Sequence, residues 1–138
     1  MKRIALEQLI AWKNRPDRKP LIIRGARQVG KTWLIQEFAK IEYDDFIYVN
    51  FELDEMMKTV FDESLQPERI LFKLKTFSGI DPKPEKTLII FDEIQEVPRG
   101  LTSLKYFCEN APAYHIVAAG SLLGLALHQN TSFPVGKV

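Results

Sequence analysis

Apolar positions change their period several times along this chain, and each change marks an element. From Met1 to Asn14, Ala5, Leu9 and Trp12 recur beside Leu6 and Ile10 at the spacing of one helix face, and Arg15-Pro16-Asp17-Arg18 ends the run. Leu21-Ile22-Ile23 is a short continuous apolar run leading into Gly25, which predicts a buried strand followed by a tight turn. Lys31 to Lys40 sets Leu34, Ile35, Phe38 and Ala39 on one side, so a helix begins directly after that turn. Phe46 to Phe51, rich in aromatic and β-branched residues, predicts a second strand. Pro67 suits a first helical position, and Ile70, Leu71, Leu74 and Phe77 form a helical stripe that stops near Gly79. After the surface connection Asp81-Pro82-Lys83-Pro84, the pattern gives a third strand over Leu88 to Phe91. A helix over Leu101 to Glu109, with Leu104, Phe107 and Cys108 inward, and a fourth strand over Ile116 to Ala119 follow. Strands that are apolar throughout and alternate with helices predict an α/β fold of three layers, a mostly parallel sheet covered on both sides.

Composition narrows the class without naming a partner. A chain of 138 residues, 46% hydrophobic and 27% charged, suffices for one core, so a single domain over 1–138 is expected. No apolar run approaches the roughly 20 residues that cross a bilayer, and the start of the chain is interrupted by Lys2, Arg3 and Glu7. Cys108 is a lone cysteine, and neither His115 nor His128 has partners at metal-ligand spacing. Together these features predict a cytoplasmic protein without membrane contact. The 19 basic and 18 acidic residues balance, but residues 1–31 hold nine bases and two acids while the rest holds ten and sixteen. That basic N-terminal third keeps nucleic acid open as a partner.

The strongest chemical signal lies between the first strand and the helix after it. Gly25-Ala26-Arg27-Gln28-Val29-Gly30-Lys31-Thr32 fits G-x-x-x-x-G-K-[ST] at every fixed position. Phosphate chains concentrate negative charge, and backbone N–H groups can converge on them only where glycine permits unusual φ angles and close approach, a part that falls to Gly25 and Gly30. The helix that follows points its unpaired N–H groups and positive dipole end at the same place. Lys31 is expected to reach the β and γ oxygens, and Thr32 to offer its hydroxyl to Mg²⁺, which prefers oxygen ligands.

A second signal is independent of the first. Leu88-Ile89-Ile90-Phe91 runs straight into Asp92-Glu93, placing two carboxylates at the C-terminal edge of the sheet beside the phosphate loop. Asp92 is suited to hold Mg²⁺, and Glu93 to orient or deprotonate the attacking water. No Asn-Lys-x-Asp segment for reading guanine occurs, which favours ATP. Trp33, next to Thr32, is expected to pack within its helix. Glu52, Asp54 and Glu55, after the second strand, read as the solvated start of a helix.

With GARQVGKT, LIIFDEIQ and AAGSLLG followed by SFPVGKV, the chain resembles the prokaryotic AAA-type P-loop ATPases whose longer members carry an uncharacterised C-terminal domain. The resemblance covers nearly the whole chain. It implies that Gly25 to Thr32 form Walker A, that Asp92 and Glu93 form Walker B, and that Ser121 is the sensor 1 polar residue; Gln95 matches the DEIQ ending. It implies a P-loop NTPase core with strand order 1-4-3-2, Ser121 within reach of the γ-phosphate or the water, and a fifth strand and lid lying past Val138, as in a C-terminally truncated domain. The last arginine is Arg99, so no arginine finger follows Ser121 and turnover by the chain alone is expected to be slow. The reading is an Mg-dependent ATPase core in which Lys31, Glu93 and Ser121 carry catalysis, switching downstream parts of its own chain, another protein or a second copy. A small-molecule kinase and a non-hydrolysing, nucleotide-gated module that binds nucleic acid or protein are the alternatives.

Overall fold

The computed structural model describes residues 2–25 and 29–121 of the protein. The elements run α1 (Lys2–Lys13), β1 (Leu21–Gly25), α2 (Val29–Glu42), β2 (Asp45–Asn50), α3 (Pro67–Ser78), β3 (Thr87–Asp92), α4 (Pro98–Asn110) and β4 (His115–Ser121), with short 3-10 turns at Glu55–Thr59 and Ile94–Glu96. The four strands form one parallel sheet in the order β1-β4-β3-β2, the order the resemblance implies. All four C-terminal ends therefore share one edge. Gly25 pairs with Ser121 and Asn50 with Asp92 along it.

Alternation along the strands sorts side chains between two cores. Leu21, Ile23, Leu88, Ile90, Val117 and Ala119 face Leu9 and Trp12 of α1 and Ile35, Phe38 and Ala39 of α2. Ile22, Ile47, Val49, Ile89, Phe91, Ile116 and Ala118 face Ile70 and Leu74 of α3 and Leu101, Leu104 and Phe107 of α4. Both faces of β3 and β4 are thus covered, which explains why their sequences show no polar alternation.

The helix ends follow local chemistry. Pro67 and Pro98 open α3 and α4, where a missing N–H costs nothing. Gly79 closes α3 in the left-handed region at φ 77°, its N–H donating to the Lys75 carbonyl at 2.8 Å. Helix α4 starts three residues earlier than the apolar stripe predicts, because Pro98 and not the first large apolar residue sets its start. Cys108, expected inward, is only half-buried, and Trp33 is 47% exposed on α2. The acids after β2 have local roles: Asp54 precedes a 3-10 turn, and its Oδ2 accepts the Asn50 N–H at 2.8 Å.

Helix α4 packs closely at its first turn. A Cβ on Gly100 would lie 2.9 Å from Ile94 Cδ1, 3.0 Å from Phe61 Cε2 and 3.1 Å from Val97 Cγ2. Overpacking of this kind costs about 1–3 kcal/mol, against about 1 kcal/mol that alanine contributes in a helix. Gly100→Ala is expected to lower stability by about 1 kcal/mol net, read as a lower denaturant midpoint at unchanged slope.

His115, at the start of β4, is 3% exposed, hydrogen-bonded through Nδ1 to the Tyr43 hydroxyl and edge-on to the Trp12 and Tyr43 rings. Among the described residues its Nε2 has no hydrogen-bond partner. Burial, then the charges of Arg18 and Lys13, lowers its pKa to about 4 from the ordinary 6.5. Folding therefore demands the neutral ring, so this contribution is complete above pH 6.5 and is lost as pH falls toward 4, because the unfolded chain takes up a proton the folded one refuses. On the order of 3 kcal/mol should disappear across that window. Denaturation curves at pH 7 and pH 4.5 should show this loss, and His115→Phe should remove that part of the pH dependence.

Candidate functional site

The site is assembled at the C-terminal edge of the sheet by the alternation that sorts the cores. In β3 the parity of Leu88 and Ile90 carries on to Asp92, which faces the first turn of α2. There the Thr32 hydroxyl donates to Asp92 Oδ2 at 2.9 Å. The Tyr48 hydroxyl, from β2, donates to the same oxygen at 2.6 Å, and the Glu93 N–H donates to Oδ1 at 2.9 Å. Asp92 is 4% exposed, and this set of donors compensates a carboxylate withdrawn from water. Burial first, then the hydrogen bond to Asp92 and its negative charge, pushes the Tyr48 phenol well above its ordinary range, so Tyr48 is a proton donor at neutral pH.

Lys31, half-buried, directs Nζ toward the Gly120 carbonyl at 3.4 Å, near the end of β4. Its neighbour Gly30 departs from the expectation that glycine is needed there for its φ. Gly30 lies within α2, does not adopt a left-handed φ, and a Cβ on it would meet no atom within 4 Å. Nothing in the described packing asks for a missing side chain at that position.

Glu93, directly after β3, takes an unusual backbone state, φ 54° and ψ 45°, which costs a non-glycine residue about 1–2 kcal/mol. Its buried carboxylate accepts from Gln95 Nε2 at 2.8 Å, while Gln95 Oε1 accepts the Ser121 N–H at 3.3 Å. One carboxamide thus spans from Glu93 to the end of β4. Asn50, opposite Asp92, folds the chain after β2 by accepting the Glu52 and Leu53 N–H groups at 2.9 and 3.2 Å, and its Nδ2 donates to the Tyr48 hydroxyl at 3.4 Å.

Of the residues predicted as a site, the structure brings together Lys31, Thr32, Asp92, Glu93 and Ser121, with Gly25 at the end of β1 and Val29 and Gly30 opening α2. Ala26, Arg27 and Gln28 lie outside the described residues, as do His128 and the Ser-Phe-Pro-Val-Gly-Lys-Val stretch. The sequence pattern did not single out Tyr48 and gave Gln95 no role. Tyr48 was readable in part, since it stands two residues before a strand end and shares the parity that points polar groups toward α2; its partner strand followed only from the resemblance. Away from this edge, a groove of about 430 Å³ runs beside Tyr43, Asp44 and Phe46 at the opposite end of β2.

A parallel sheet in this order, with the glycine-rich segment after β1 and an acidic end on β3, is the architecture of a P-loop NTPase core. The family described as AAA domain matches residues 17–138, and the chain belongs to it. It is a nucleotide-binding module of ATPase type. Among solved structures, Drosophila ORC bound to AT-rich DNA and Cdc6 is similar at 15% identity and TM-score 0.59, covering 99% of this chain and 53% of that one. Caenorhabditis elegans PCH-2 is similar at 12% identity and TM-score 0.54, covering 99% of this chain and 41% of that one. These likenesses concern the fold, and the chain spans about half or less of either protein. No curated protein matches the sequence.

Proposed function

We propose that this chain binds ATP together with Mg²⁺ at the edge formed by residues 25–32, Asp92 and Glu93, hydrolyses it slowly, and uses the bound state to switch further domains or a partner. The observation that carries the reading is the 2.9 Å contact between Thr32 and Asp92, which joins the two sequence signals at one point with Lys31 beside them. The donor set suits a hard divalent cation: a hydroxyl and one carboxylate oxygen, the remaining ligands of such a cation being phosphate and water oxygens. Among the described residues no three His, Cys, Asp or Glu gather as a metal-binding group, and a cation shared with a nucleotide needs none. Bound there, Mg²⁺ would offset charge on the β- and γ-phosphates.

The chain's own residues do the rest. Lys31 supplies a cation at the phosphate end, and Glu93 takes a proton from the water whose oxygen attacks the γ-phosphorus, as the bond to the ADP oxygen breaks and inorganic phosphate leaves. Ser121, tied to Gln95, stands where β4 ends and would sense that phosphate. The basic N-terminal third offers less to nucleic acid than its charge suggests, since Lys13 pairs with Glu42 and Arg18 donates to the Pro112 carbonyl. Partners in the switch, including a second copy, are part of the same proposal.

Titration calorimetry with ATP, ADP and GTP in the presence of Mg²⁺ tests binding and base choice together. Lys31→Ala is expected to weaken ATP about ten- to hundredfold, the size of a charge-assisted contact of about 1.5–3 kcal/mol; unchanged affinity would overturn the assignment. Glu93→Gln is expected to keep ATP affinity within about twofold while phosphate release falls about a hundredfold. Phosphate release at the wild-type rate would remove Glu93 from the chemistry.

A further inference from the structure

Asp92 Oδ2 receives two hydroxyls, and only one of them belongs to the phosphate-loop helix. Thr32 Oγ1 comes from α2 at 2.9 Å; Tyr48 comes from the neighbouring strand at 2.6 Å. The strand pairing holds Tyr48 in place, because β2 and β3 run in parallel register with Tyr48 opposite Ile90 and Asn50 opposite Asp92. The direction of its proton is fixed as well. Asn50 Nδ2 donates to the Tyr48 oxygen at 3.4 Å, so the phenol accepts from Asn50 and gives its own proton to Asp92.

The second oxygen of Asp92 is committed to the Glu93 N–H, so the carboxylate is gripped at both ends and cannot rotate without breaking a contact. In β2 the residues facing the other core are Ile47 and Val49, whereas Phe46 and Tyr48 lie on the α2 side, where an aliphatic residue would serve the packing equally well. The hydroxyl of Tyr48 adds nothing to that packing; it meets Asp92, Asn50 and the Thr32 hydroxyl, so it touches both residues proposed to hold the cation.

We propose that Tyr48 is the positioning residue for the divalent cation: its hydroxyl orients Asp92 and thereby sets how tightly the cation is held with the nucleotide. Tyr48 touches neither phosphate nor water in this role and acts through Asp92. The inference rests on the proposed reading that Asp92 and Thr32 hold Mg²⁺. Carboxylates that ligate metals are themselves oriented by hydrogen-bond donors, and removing such a donor typically lowers metal affinity about 10–100-fold.

The test is Tyr48→Phe, which keeps the ring and removes only the hydroxyl. Mn²⁺ bound with ADP is followed by electron paramagnetic resonance, and ADP affinity is measured separately in EDTA. The variant should need about tenfold more Mn²⁺ for half-saturation, while ADP affinity without metal stays within about twofold and the ligand-free melting temperature changes little. An unchanged Mn²⁺ requirement overturns the proposal, and so does an equal loss of metal-free ADP affinity, which would mark a merely structural tyrosine. Wild-type protein that binds ADP with no dependence on Mn²⁺ would instead remove the cation site itself, and this proposal with it.

Discussion

The hydrogen bond between Thr32 and Asp92 is the contact through which the two ends of the fold's design meet. It exists because side chains alternate along parallel strands. A one-residue slip of β3 would send Asp92 toward α3 and α4 and bring Phe91 to the phosphate-loop helix. Leu88, Ile89, Ile90 and Phe91 are apolar on both faces and discriminate little between the two registers, so the cost of a slip falls on Asp92, whose carboxylate would be buried away from its Thr32 and Tyr48 donors. The hydrogen bonds of the carboxylate therefore help to fix the register of the strand as well as its chemistry.

Much of this was legible because the signals are local. Leu21-Ile22-Ile23 before Gly25, and Leu88 to Phe91 before Asp92, state strand, edge and chemistry within a few residues each. The strand order was accessible only through resemblance, since nothing in Leu21–Gly25 or His115–Ser121 announces that they pair. The residues that escaped reading owe their roles to such pairings. Tyr48 acts on a residue 44 positions away, and Gln95 on Ser121, 26 positions away. Gly30 was expected to need glycine for its φ as well as for close approach, but its backbone is ordinary helix, and among the described residues no atom lies within 4 Å of where a Cβ would sit.

Among the described residues of the site, backbone cost is concentrated at one charged position. Glu93 takes a left-handed conformation, although glycine or asparagine would do so more cheaply. Strain of this kind persists where the surroundings over-determine it. Around Glu93 they do: its N–H is held by Asp92, its carboxylate by Gln95, and the residue after it, Ile94, is fully buried. The turn directs Glu93 away from the path of β3 while Asp92 remains in it, so adjacent carboxylates reach different surroundings.

That turn is also where the two cores, separate along most of the sheet, come together. Asp92 belongs to the α2 side by parity, whereas Ile94 is seated among Phe61, Val97 and the backbone of Gly100 on the α4 side. The N-terminal part of α4 can lie this close only because residue 100 carries no side chain. Glu93 and Gln95 flank Ile94, so the position of α4 determines where the Gln95 carboxamide sits between Glu93 and the end of β4. The α4 side of the sheet is thereby tied to the Glu93 carboxylate at the end of β3, and the tie runs through well-packed apolar atoms that do not yield gradually.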